Sequence, residues 1–69
     1  MVEVFKTDVQ HEYQAARILD VLSGHYPMYR INFDLEDCDK ILRVEGANPA
    51  PAKIAGVLGA HGHYCEPLV

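Results

Sequence analysis

Sixty-nine residues suffice for one domain with a small core, and a 49% hydrophobic content belongs to a chain that folds rather than one that stays disordered. Ten Asp and Glu against six Lys and Arg leave a formal net charge of −4, which argues against a nucleic-acid partner, since that requires a basic face. With neither a basic, apolar leader nor a run of about 18 apolar residues, the sequence predicts a cytoplasmic chain without a membrane partner, whose Cys38 and Cys65 are reduced thiols.

The first segment, VEVFK (residues 2–6), is short, β-branched and alternating, which predicts a strand. Thr7 and Asp8 behind it are residues that start helices. Thr7 with Gln10 three positions on matches a capping box, and Asp8 would cap equally well. Ala15, Ile18, Leu19 and Leu22 recur at i, i+3, i+4 and i+7, one apolar face of a helix that Gly24 and Pro27 end. MYRINFDL (residues 28–35) alternates strictly and is the clearest strand: Tyr29, Ile31, Phe33 and Leu35 share one side, Met28, Arg30, Asn32 and Asp34 the other. The polar turn EDCDK joins it to ILRVE (residues 41–45), so the two form a β-hairpin with Cys38 near its tip and Gly46 closing it.

Asn48 is the expected N-cap of a second helix, with Pro49 at its first position, where a missing N–H costs nothing. Ile54, Val57, Leu58 and His61 form its stripe, and Gly59 or Gly62 ends it. The closing HYCEPLV (residues 63–69) predicts a short strand, and Pro67 assigns it to a sheet edge because proline cannot donate to a ladder.

The order β-α-β-β-α-β predicts a single α+β domain over residues 1–69, the ferredoxin-like sandwich: a four-stranded antiparallel sheet with both helices on one face. Right-handed crossovers place the first and third strands at its centre. Chain direction then carries three connections, residues 7–11, 36–39 and 59–63, to one end, so His11, Cys38, His61 and His63 gather there. Imidazole and thiolate are ligands for zinc and copper, which makes these four the candidate metal ligands.

The run VFKTDVQHEYQAARIL resembles the first loop and helix of heavy-metal-associated domains, ferredoxin-like copper and zinc carriers with a G-M-x-C-x-x-C loop there. AHGHYCEPLV is similar to that family's closing A-G-Y-x-A-E segment. Aligned through AARI, Asp8 takes the glycine's place, Val9 the methionine's, His11 the first cysteine's and Gln14 the second's. The resemblance implies a carrier without its usual thiolates, in which His63 takes the place of an aromatic near the metal loop and Cys65 a small core position.

Each candidate also has an ordinary structural role. His11 and Gln14 suit capping and covering the core at a helix start. His61 continues an apolar stripe near a helix C-terminus, where the dipole favours a histidine. Cys65 suits a small buried hydrophobe, and Cys38 lies among Glu36, Asp37 and Asp39, so neither is a nucleophile candidate. The acidic turn lacks EF-hand spacing. No Ser-His-Asp, paired-carboxylate or P-loop arrangement occurs in the chain, and an enzyme is not expected. The alternative to a metal carrier is an interaction or regulatory module that meets a protein partner, or pairs as a homodimer, through its sheet.

Overall fold

The computed structural model describes residues 1–68. Its elements are β1 (Val2–Thr7), α1 (Glu12–His25), β2 (Arg30–Asp34), β3 (Ile41–Glu45), α2 (Pro51–Ala60) and β4 (Cys65–Pro67). All four strands join one antiparallel sheet in the order β2-β3-β1-β4. The first and third strands therefore lie inside, and the proline-bearing β4 lies at an edge, where the missing N–H of Pro67 costs no ladder bond.

Strand alternation sorts the side chains. Phe5 pairs with Leu42, Leu42 with Phe33, and Val44 with Ile31, so one sheet face presents an apolar surface. Ala15, Ile18 and Leu22 of α1 and Ile54 and Leu58 of α2 bury against it, completing a core whose largest members are fully inaccessible. The hairpin side chains that share one side, Tyr29, Ile31, Phe33 and Leu35, pack on this core, while Arg30, Asn32 and Asp34 remain exposed on the other face.

The element ends depart from the sequence expectations, and hydrogen bonding explains each departure. Thr7 does not cap α1: it is the last residue of β1, where its hydroxyl donates to the Lys40 carbonyl at 2.6 Å and accepts from the Val9 N–H at 3.2 Å. Asp8 does not cap it either, because its carboxylate faces the chain entering β4. The N-cap falls to His11 in extended conformation, and Gln14 closes back on it, its Oε1 accepting the N–H of His11 at 3.2 Å and of Gln10 at 3.3 Å.

Asn48 cannot be an N-cap, since its φ of 54° is left-handed whereas a cap is extended. The cap moves to Ala50, with Pro51 rather than Pro49 at the first helical position. Helix α1 runs through Gly24 to His25 and closes with the Tyr26 N–H on the Leu22 carbonyl at 2.7 Å. Of the two glycines at the end of α2, Gly62 makes the turn with a φ of 81°, and the His63 N–H returns to the Leu58 carbonyl at 2.9 Å. Strand β2 is shortened on both sides by turns, one with the Tyr29 N–H on the Tyr26 carbonyl and one with the Glu36 N–H on Asp34 Oδ1. Strand β4 begins only at Cys65, because His63 and Tyr64 are held by Asp8 and not by the ladder. Val69, placed in that strand by the sequence, lies outside the described residues.

Candidate functional site

The end of β1 is the meeting point of the connections that the chain order brings together. On the β3 side, the Thr7 N–H donates to the Asp39 carbonyl at 3.1 Å and Lys6 Nζ lies 3.8 Å from Asp39 Oδ1. On the β4 side, Thr7 is paired with Cys65, so Asp8 lies beside the residues that lead into β4. Asp8 Oδ1 there meets His63 Nδ1 at 3.1 Å and accepts the Tyr64 N–H at 3.0 Å.

A carboxylate only accepts, so this contact places a proton on His63 Nδ1 and leaves Nε2 as the ring's free nitrogen. The imidazole is mostly covered, with 16% of its side chain exposed against 50% for Asp8. A backed, oriented imidazole of this kind is the arrangement in which histidines bind metals, because the carboxylate fixes the tautomer and the orientation of the ring.

His63 opens into a cleft of about 350 Å³ between α1 and the α2–β4 turn, which His61, Tyr13, Gln14 and Arg17 also line. His61 is the C-cap residue of α2 and is exposed rather than part of the buried stripe. Two of the four candidate ligands thus share one cleft. His11 does not line it: it is exposed at the start of α1 and stacks on Tyr13, ring centroids 5.5 Å apart and 12° between planes.

Cys38 stands on the other side of β1, in the hairpin turn. Its thiol and the carboxylates of Asp37 and Asp39 lie within 4.8 Å of one another, and this is the group of three such ligand atoms found among the described residues. Both carboxylates serve the turn, since Asp37 Oδ1 accepts the Asp39 N–H at 2.9 Å and Asp39 pairs with Lys6. Cys65 packs against the core, and burial, aided by the Asp8 carboxylate, pushes its thiol up to about 11. It is thereby kept as a neutral thiol at ordinary pH.

Sequence reasoning missed Asp8 as the partner of His63 and Arg17 as part of the cleft. The first signal is readable only through the β1–β4 register, because the pair is separated by 55 residues. No family model matches the chain, and no curated protein matches it. No helix among the described residues is long and apolar enough to cross a membrane.

Proposed function

We infer that the chain is a ferredoxin-like domain of the heavy-metal-associated kind that takes up a borderline dication, Zn²⁺ or Cu²⁺, through imidazoles instead of thiolates. The observation that carries the reading is the Asp8–His63 contact, which leaves His63 Nε2 available in a cleft that His61 also lines. The strand order β2-β3-β1-β4 supports the fold assignment. The alignment with the carrier loop is supported by burial: Val9, in the methionine's place, is fully inaccessible, while His11, in the first cysteine's place, is exposed.

A thiolate centre does not fit these residues, because the two cysteine positions hold His11 and Gln14, and Gln14 Oε1 is used in capping. Imidazole pairs fit Zn²⁺ and Cu²⁺ better than the monovalent copper that thiolates favour. Titration with Zn²⁺, followed by the imidazole resonances of the four histidines, tests the reading. Saturable shifts at His61 and His63, lost in His63→Ala, are expected; unchanged spectra at excess metal would overturn it.

A second reading is pairing through the sheet face that the helices leave bare, where Val4, Ile41 and Leu68 line a depression together with the charged Asp34, Asp37, Asp39 and Arg43. Sedimentation at two protein concentrations tests it, and a constant monomer mass rejects it.

A further inference from the structure

Strand β2 ends the sheet on the side away from β4. The β4 edge is blunted, because that strand is three residues long and carries Pro67. Strand β2 has no such device: its five residues pair with β3 in unbroken register, without a bulge, and include neither proline nor lysine. Among the described residues, no backbone hydrogen bond outside the β3 ladder involves Arg30–Asp34. The backbone groups that point away from β3 are thus a template for one more strand.

The side chains on this edge fit a copy of themselves. The strand reads Arg30, Ile31, Asn32, Phe33, Asp34: opposite charges at its ends, an apolar residue inside each, and an amide in the middle. An antiparallel copy centred on Asn32 sets Arg30 against Asp34 twice, Ile31 against Phe33 twice, and Asn32 against Asn32 on the two-fold axis. A slip of two residues loses both charge pairs, and a slip of one turns the apolar side chains to the wrong face. The charges are also uncommitted. Arg30 and Asp34 are exposed, and the ion pairs formed among the described residues, Lys6–Asp39 and Asp8–His63, use neither.

The helix side of the same edge has room for apolar contact. Leu19 belongs to the apolar spacing of α1 yet is only half-buried, and with Ala16, Phe33 and Leu35 it lines an open cleft of about 450 Å³ between α1 and β2. In the antiparallel pair the second copy brings its own Ile31 and Phe33 to this side of the sheet.

We propose that the chain forms a two-fold dimer through β2, in which two four-stranded sheets join edge to edge and Arg30 of each copy pairs with Asp34 of the other. The occupant of the edge is a second copy because the order of charges along the strand is complementary to its own reverse. The contact uses a different surface from the bare sheet face, and it stands apart from the metal reading.

Sedimentation equilibrium from about 10 µM to 1 mM, the range suited to a small and weak interface, is run on the wild type, Arg30→Asp, Asp34→Arg and the double exchange. Circular dichroism verifies the fold of each variant. The wild type is expected to pass from monomer to dimer. Each single exchange sets like charges opposite each other at both ends and should weaken dimerisation about tenfold. The double exchange restores both pairs and should return to within about twofold of the wild type. Oxidative crosslinking in a Cys38→Ser background reads the register without altering the charge pairs. Opposed Cα atoms of antiparallel strands lie about 4.5–5.5 Å apart, within disulfide reach, so Asn32→Cys should give a covalent dimer. Arg43→Cys, exposed on β3 one strand further in, should not. A monomer at every concentration overturns the proposal, as do single exchanges without effect or an effect that the double exchange fails to reverse. Crosslinking through Arg43→Cys and not through Asn32→Cys also overturns it, and is the result expected of pairing through the bare face.

Discussion

Asp8 Oδ1 holds His63 Nδ1 at 3.1 Å across 55 residues of sequence, and the same oxygen accepts the Tyr64 N–H at 3.0 Å. The backbone contact fixes the carboxylate, and the carboxylate fixes the ring. Replacing Asp8 by Ala removes the orienting partner while leaving Nε2 in place, so Zn²⁺ affinity should fall by about 10–100-fold, the usual effect of losing a carboxylate behind a histidine ligand. Asp8→Asn retains an acceptor for both donors and should lose less. Calorimetry on the two variants checks the order, and equal affinities in Ala, Asn and wild type would remove Asp8 from the site.

Thr7 ties the two sides of this end together. Its hydroxyl is 5% exposed as part of the residue, donates to the Lys40 carbonyl at 2.6 Å and accepts the buried Val9 N–H at 3.2 Å. Thr7→Val keeps the shape but leaves a buried donor and acceptor unsatisfied, so a loss of about 1–3 kcal/mol in unfolding free energy is expected. Thr7→Ser restores the hydroxyl and should recover most of it. Urea denaturation of the three proteins measures the difference, and a Val variant as stable as wild type would contradict the account.

The two strands of the hairpin and most of the apolar face of each helix were legible from spacing alone, because periods of 2 and 3.6 residues report which side is covered whatever lies across from it; Leu19 and His61, placed on those faces by the same spacing, are left out of the core. Cap positions were not. Thr7, Asp8 and Asn48 are all good capping types, yet each is committed elsewhere, to Lys40, to His63 and Tyr64, and to a left-handed turn, and the first two commitments depend on partners far along the chain. The site divides in the same way. Topology alone brought the three connections to one end, but only the β1–β4 register shows that His63 meets Asp8, and only the packing of α1 beside the α2–β4 turn shows that Arg17 joins His61 and His63. Cys38 shares that end of the sheet in sequence terms and is separated from the histidines by the width of β1.

Gly46 is fixed by a neighbour rather than by its backbone. A Cβ there would press into the Tyr29 ring, meeting Cδ1 and lying 2.9 Å from Cε1. The ring cannot readily retreat, since it stacks on Tyr26 with centroids 5.2 Å apart and its hydroxyl donates to the Asn48 carbonyl at 3.0 Å. Gly46→Ala should therefore cost about 1 kcal/mol, the low end of what overpacking a core costs, because Gly46 and Tyr29 are half-buried. The double variant Gly46→Ala with Tyr29→Ala should lose less than the sum of the two single changes, because the clash is absent. Thermal unfolding of the set checks this, and strict additivity would place the cost elsewhere.

The two cysteines should separate by reactivity. Cys38 is exposed in the hairpin turn, whereas Cys65 is half-covered against the core with its thiol pushed up to about 11 by burial and by the Asp8 carboxylate. At pH 8 a thiol reagent should modify Cys38 and spare Cys65 in the folded chain, because the thiolate is the reacting form. The same shift makes stability depend on alkali. The folded thiol holds its proton more tightly than the unfolded one, so its contribution is fully present below the ordinary value of 9.0 and is lost as the pH rises through about 11. Cys65→Ala lacks this group, so the alkaline loss of stability should be shallower in the variant than in the wild type over that window. Mass-resolved alkylation at pH 8 and urea midpoints from pH 8 to 11 measure the two effects. Equal labelling of both cysteines, or parallel midpoint curves for the two proteins, would show that Cys65 is not held neutral by the fold.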